Sequence, residues 1–181
     1  MFISPMLLHR GEAFDDDIFI SEIKFDGIRM ILTRFNAQTR LYTRHGNEIT
    51  YNFKELLDIE EGKILDDELI VSDQNGVPNF EYMIERFKSS KSKHFVQFVV
   101  FDIIYHGGKD ITSLPLLSRK KILDEVIRDG EHPHIAKSQY VIGHGEAYFN
   151  LVKERDLEGI VMKKVDSTYQ INKRSYDWLS Y

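Results

Sequence analysis

The chain has 181 residues, no cysteine, and 24 Lys plus Arg against 29 Asp plus Glu, a formal net charge of −5. Zero cysteine excludes disulfide frameworks, cysteine zinc sites, iron–sulfur clusters and thiol nucleophiles, and a domain of this length buries about 70% of its unfolded surface without such staples. The net sign taken alone speaks against nucleic acid, whose binders are usually basic.

No segment approaches the roughly 18 unbroken apolar residues of a membrane span. The N-terminus, Met1 to Leu8, has no basic region and runs into Asp15-Asp16-Asp17, which argues against a secretory signal and for a cytoplasmic protein. The spacing predicts a strand over Ile18 to Ile23, then a hairpin in which Arg29 to Phe35 and Arg40 to Arg44 flank Asn36-Ala37-Gln38-Thr39. Asn52 to Ile59 suits a short helix with Phe53, Leu56 and Leu57 on one face. Ile64 to Val71 is a further strand, followed by the turn dipeptide Asn75-Gly76. Asn79 then caps a helix whose Phe80, Met83, Ile84 and Phe87 fall at i, i+3, i+4 and i+7.

Phe95 to Tyr105 is almost continuously apolar, the mark of a central strand buried on both faces. Ser118 to Ile127 and Glu146 to Arg155 are amphipathic helices, and Gly159 to Val165 is the last strand. Strands and helices are mixed, with hairpins early on. The expected fold is therefore α+β, with largely antiparallel sheets, in preference to a doubly wound parallel sheet.

The stretch richest in chemistry is Lys24-Phe25-Asp26-Gly27-Ile28-Arg29. A lysine ends one strand, a glycine turns the chain and an arginine starts the next strand, so two cations are expected at one end of a sheet. Five further stretches follow: Thr43-Arg44-His45-Gly46, Leu65-Asp66-Asp67-Glu68-Leu69, Val99 to Tyr105 with Phe101-Asp102, Glu158-Gly159-Ile160-Val161-Met162-Lys163-Lys164, and Arg174-Ser175-Tyr176-Asp177-Trp178-Leu179. In content and order these resemble the motifs of the covalent nucleotidyltransferases, which begin with Lys-x-Asp-Gly-x-Arg. Within that superfamily the final Arg-Ser-x-x-Trp-Leu and the Pro5-Met6-Leu7 start resemble the adenylation domain of ATP-dependent DNA ligases. The alternatives are an RNA ligase or mRNA-capping guanylyltransferase, and a degenerate nucleotide- or nick-binding module that forms no adduct.

Two positions depart from the family pattern. Asp67 stands where a glycine is usual, and Ser180 stands where the first lysine of a Lys-x-Lys element belongs, just before Tyr181. The expectation is one adenylation domain over residues 1–181, the catalytic part of something longer, with no OB-fold or separate DNA-binding domain in this stretch.

The resemblance implies two antiparallel sheets flanked by helices with a nucleotide cleft between them, a DNA ligase adenylation-domain or ATP-grasp-like fold. It implies that Lys24 attacks the α-phosphate of ATP and holds AMP as a phosphoramidate. The AMP then passes to the 5′-phosphate of a nick in double-stranded DNA, and the 3′-hydroxyl seals the strand. A free lysine amine is under about 0.1% deprotonated at pH 7, and Arg29, Lys163 and a divalent cation are expected to supply the repulsion that activates it.

By the same resemblance Glu22, Ile23, Arg29, Arg44, Glu68, Phe101 and Lys163 bind the nucleotide, with Glu22 on the adenine edge, Phe101 stacked on the ring and Lys163 at the α-phosphate. Glu68 and Glu158 hold Mg²⁺ or Mn²⁺, and Arg44, Lys164 and Arg174 contact DNA. Asp102 is left between a metal role and an orienting one. The implied partners are ATP and nicked duplex DNA, with no membrane, and the implied state is a monomer. The basic run Arg86 to His94 reads as a solvated helix end, the histidines at 132, 134 and 144 as surface residues, and Gly107-Gly108-Lys109-Asp110 as a turn.

Overall fold

Two sheets face each other across the middle of the protein, in a computed structural model that describes residues 1–56 and 59–181. The described elements are β1 (Leu7–Arg10), β2 (Phe19–Lys24), β3 (Ile28–Phe35), β4 (Gln38–Thr43), β5 (Lys63–Val71), α1 (Phe80–Lys88), β6 (Val96–His106), β7 (Lys109–Asp110), α2 (Leu116–Val126), β8 (Ile135–Lys137), β9 (Tyr140–Ile142), α3 (Gly145–Glu154), β10 (Gly159–Lys164) and β11 (Arg174–Ser180). One sheet runs β1-β11-β10-β2-β9 and the other β4-β3-β5-β6-β7, with β8 beside β6. Only β1 with β11 and β6 with β8 pair in parallel among the described strands, so the α+β, largely antiparallel expectation is met. No described helix is long and apolar enough to cross a membrane.

Three apolar clusters set the layers. Met30, Leu32, Leu65, Leu69, Phe98 and Val100 of the second sheet pack against Met83 of α1 and Leu123 of α2. Ile20, Ile31, Ile64, Ile104 and Trp178 pack between the sheets. Val152 of α3 closes on Ile160 and Met162 behind the first sheet. A strand alternates its side chains between faces, so every strand in the middle of either sheet serves two layers.

Local chemistry explains the turns and ends. The expected four-residue turn between β3 and β4 tightens to Asn36-Ala37, both left-handed at φ 54° and 58°, the conformation a two-residue hairpin requires. The Asn79 side chain accepts from the Tyr82 amide and starts α1. Met83 and Phe87 of that helix join the core as expected, whereas Phe80 is 43% exposed and faces the cleft with Ile84. Arg86 is buried instead, bonded to the Asn52 carbonyl and Glu55.

The expected helix over 52–59 is a pair of 3-10 turns, Thr50–Asn52 and Lys54–Leu56, around a buried Phe53. The part of that helix carrying Leu57 lies outside the described residues. The strands β1, β7, β8, β9 and β11 were not expected as such. Four of them have two to four residues, too few for a period to show.

Candidate active site

Although β2 and β3 are consecutive, they belong to different sheets. Lys24 and Arg29 therefore stand on facing walls, which corrects the expectation of two cations at one end of a sheet. The connection passes directly over β5. A Cβ on Gly27 would lie 2.3 Å from the Leu69 carbonyl oxygen and 2.8 Å from Ile70 Cγ2, so only glycine lets the chain cross there. Strand register completes the mouth. Gly159 lies opposite Lys24, which brings Glu158 beside it, and Glu68 lies opposite Arg29.

The result is a cleft of about 550 Å³ between the sheets, lined among others by Glu22, Lys24, Arg29, Glu68, Phe101 and Lys163. At its mouth Lys24 Nζ meets the Glu158 carboxylate. The nearest charged partner of Lys24 is thus an acid, not the cations expected to activate it. On the opposite wall Arg29 donates to Asp66 from Nε at 3.0 Å and Nη2 at 2.7 Å. Tyr169 Oη donates to the same carboxylate at 2.5 Å. Burial works against the Arg29 charge, but Asp66 more than offsets it and holds the guanidinium further above its ordinary value.

The floor is a second ionic cluster. Glu22, 1% exposed, touches Lys120 Nζ through Oε1 and Lys163 Nζ at 2.6 Å through Oε2. Burial raises the Glu22 carboxyl, and the two lysines outweigh it and hold it below its ordinary value. Lys163 is pushed down by burial and by Lys120. Its Nζ lies 4.4 Å from the ring centroids of both Phe101 and Trp178, within cation–π range.

The β5/β6 register slips by one residue at Phe101, between Asp66↔Asp102 and Asp67↔Val100. A bulge of this kind re-aims a side chain, and it resolves which phenylalanine of the apolar run serves the cleft. Phe98 is buried in the core behind, Phe95 is 53% exposed, and Phe101 lines the cleft with Arg29 5.3 Å from its ring.

Glu68, on the wall with Arg29, is a strongly perturbed carboxyl. Burial, with Asp66 and Glu158 nearby, pushes it up to about 8 against the pull of Arg29 and Lys24. Glu68 and Glu158, two carboxylates lining one cleft, are a donor set suited to a divalent cation. No three His, Asp or Glu side chains among the described residues gather to hold a metal alone. Mg²⁺ does not need them, since it takes one or two carboxylates and fills its shell with water and phosphate oxygens.

The other expected residues fall in different places. Arg44 lines the mouth and donates to His45 Nε2 at 3.0 Å. Ile23 contributes to the wall while its side chain packs in the cluster with α3. Lys164 is half-buried, 3.5 Å from Asp166, and outside the cleft lining. Arg174 is exposed and donates to the carbonyl of Leu8, itself a lining residue. Asp102 is turned to Arg119 in a fully buried bidentate pair at 2.8 and 2.9 Å, an orienting role.

Of the basic run, Arg86 is buried and His94 pairs with Glu85, while Lys88, Lys91 and Lys93 are exposed. The glycines 107 and 108 form the β6–β7 turn, both at positive φ. Sequence reasoning missed Asp66, Tyr169 and Lys120. Asp66 was visible inside its motif, but Tyr169 and Lys120 sit 103 and 98 residues from their partners and carry no local signal.

Fold and site together define the class. A lysine and two carboxylates at the mouth of a cleft between antiparallel sheets, over an aromatic and ionic floor, are the arrangement of a covalent nucleotidyltransferase domain. The family described as ATP dependent DNA ligase domain matches residues 5–181, and the chain belongs to that family. It is 52% identical over 182 residues to the SPbeta prophage-derived DNA ligase-like protein LigB of Bacillus subtilis, covering 99% of this chain and 67% of that protein. It is 31% identical to the multifunctional non-homologous end joining protein LigD of Mycolicibacterium smegmatis, covering 97% of this chain and 23% of LigD. The structure of mycobacterial DNA ligase D complexed with ATP and MES superposes with a TM-score of 0.83 at 25% identity, over 98% of this chain and 59% of that one.

Proposed function

We propose that this domain carries out ATP-dependent adenylation and nick sealing, with Lys24 as nucleophile. The observation that carries the reading is the mouth of the cleft, where Lys24 and Glu158 on one sheet face Arg29 and Glu68 on the other. The structural relative was determined with ATP, and a cleft of about 550 Å³ is ample for a nucleotide.

Lys24 Nζ attacks the α-phosphorus, a P–N bond forms, and the bond to pyrophosphate breaks. The amine must shed a proton before it attacks, and Glu158 is the group in contact with it. Arg29 is fixed by two of its donors on Asp66, which leaves the others for phosphate oxygens at no cost in reorientation. Phe101 offers a ring face to the base, Glu22 an acceptor to its edge, and Lys163 a cation to the α-phosphate.

Glu68 and Glu158 are the residues that would hold Mg²⁺ or Mn²⁺, which supplies charge neutralisation at the phosphates when bound. Arg44 and Arg174, with Lys164 on the outer side of β10, are the proposed contacts to phosphates of nicked duplex DNA. AMP passes from Lys24 to the 5′-phosphate, and the 3′-hydroxyl displaces it.

Intact-mass measurement after incubation with ATP and Mg²⁺ tests the reading. One AMP on the parent chain and none on Lys24→Ala is the expected result. Adduct with GTP alone points to a guanylyltransferase, and a folded parent with no adduct points to a nick-binding module; either overturns the proposal.

A further inference from the structure

The mechanism above asks two things of the cluster at the cleft floor that its geometry makes hard to reconcile. Glu22 is to read the base, and Lys163 is to reach a phosphate, yet Lys163 Nζ stands 2.6 Å from Glu22 Oε2. A carboxylate this buried, left with no cation, would be stranded without compensating charge. Lys120 removes the conflict. It comes from α2, is 3% exposed, does not line the cleft, and contacts the other oxygen of Glu22. The cluster therefore holds two cations for one anion, and one of them can leave. Lys163 is the one able to do so, because it lines the cleft and its Nζ already lies against the faces of Phe101 and Trp178.

We propose that Lys120 is a positioning residue for nucleobase selection: it holds Glu22 ionised and aimed at the cleft floor, so that Glu22 accepts from the exocyclic amine of adenine while Lys163 is released to the phosphate. This rests on the reading of the cleft as a nucleotide site. An ionised carboxylate only accepts hydrogen bonds. Adenine offers it an amine donor, whereas hypoxanthine places a carbonyl oxygen in the same position, acceptor against acceptor. A site built to bond one polar group rejects a substrate that leaves that group unpaired. Without Lys120, either Lys163 stays on Glu22 and is lost to the phosphate, or Glu22 takes up a proton and can donate to the hypoxanthine carbonyl. Both routes weaken the choice of ATP over ITP.

The test compares ATP and ITP on the full chain, by equilibrium binding and by adduct formation with KM separated from the maximal rate. The parent should prefer ATP. Lys120→Met, which keeps the aliphatic stem, should lower the ATP-to-ITP ratio by about tenfold or more, and Lys120→Arg should restore it. Glu22→Gln should lose the same discrimination, and adding Lys120→Met to it should cost nothing further, because the two residues act as one unit. Should Lys120→Met melt below the assay temperature, Lys120→Gln carries the same comparison. A folded Lys120→Met or Lys120→Gln with the parental ratio overturns the role of Lys120 alone. A parent that binds both nucleotides equally overturns base selection at this floor, and a parent that binds neither overturns the nucleotide reading itself.

Discussion

Asp66 and Asp67 are neighbours on β5, both with no exposed surface, yet their surroundings are opposite. Asp66 faces the space between the sheets, where Arg29 and Tyr169 supply three hydrogen bonds. Asp67 alternates in phase with Leu65 and Leu69 and points into the apolar cluster behind, opposite Met30 on β3 and Val100 on β6. Neither of its oxygens has a hydrogen-bond partner among the described residues. Burial, with Asp66 and Glu68 alongside, raises its carboxyl well above the ordinary range and so favours the neutral acid. One residue of register separates a charge that builds the site from a carboxyl that the core favours as a neutral group.

The largest effect belongs to the paired acid. Asp66→Ala strands the Arg29 guanidinium and the Tyr169 hydroxyl, and should lower unfolding free energy by about 3–5 kcal/mol, read from urea denaturation, with adduct formation lost as well. A loss below about 1 kcal/mol would show that the pair is not buried as described.

Asp67 should behave in the reverse sense. Its folded pKa lies above the unfolded 3.8, so the folded state holds a proton that the unfolded chain releases. Parent stability therefore falls as pH rises from about 4. Asp67→Ala removes this penalty and should be the more stable protein by about 1–2 kcal/mol near pH 8. The advantage should shrink toward zero near pH 4. Denaturation curves at the two pH values decide, and an advantage independent of pH would break the contrast. Asp67→Gly, the residue usual in the family, should gain less, because glycine in a strand costs about 0.5–1 kcal/mol.

The smallest change sharpens the paired side. Tyr169→Phe deletes one of the three bonds to Asp66 and should cost about 1–2 kcal/mol. Arg29 keeps its bidentate contact, so adduct formation should be nearly unchanged. A collapse of adduct formation in this variant would mean that Tyr169, rather than the Arg29 pair, sets the position of Asp66.

The long strands and helices were legible because each shows a clear period. Residues 64–71 and 95–105 formed β5 and β6, and Asn79 capped α1 as its type and spacing suggest. Phe80 and Ile84 carry the same helical period as Met83 and Phe87, and the period does not say that α1 sits at the edge of a cleft. The motif residues were legible as a set, and the structure gathers Glu22, Lys24, Arg29, Glu68, Phe101, Glu158 and Lys163 in one cleft. Their partners were not, because an ion pair between positions 22 and 120 or 66 and 169 leaves no trace in local spacing.

By itself the sequence determined the family and the mixed α+β class and singled out the proposed nucleophile, since these depend on residue type, order and short-range period. Only the tertiary structure decided which charges neutralise each other. Glu22, Asp66, Asp67 and Asp102 are all buried, three of them against Lys or Arg and one with no hydrogen-bond partner among the described residues. Five cations, Lys63, Arg86, Arg119, Lys120 and Lys163, are buried as well, so the net charge of −5 does not overstate the acidity of the surface. The sign of a charge is written in the chain, but its worth is set by the dielectric and the partner that folding brings to it.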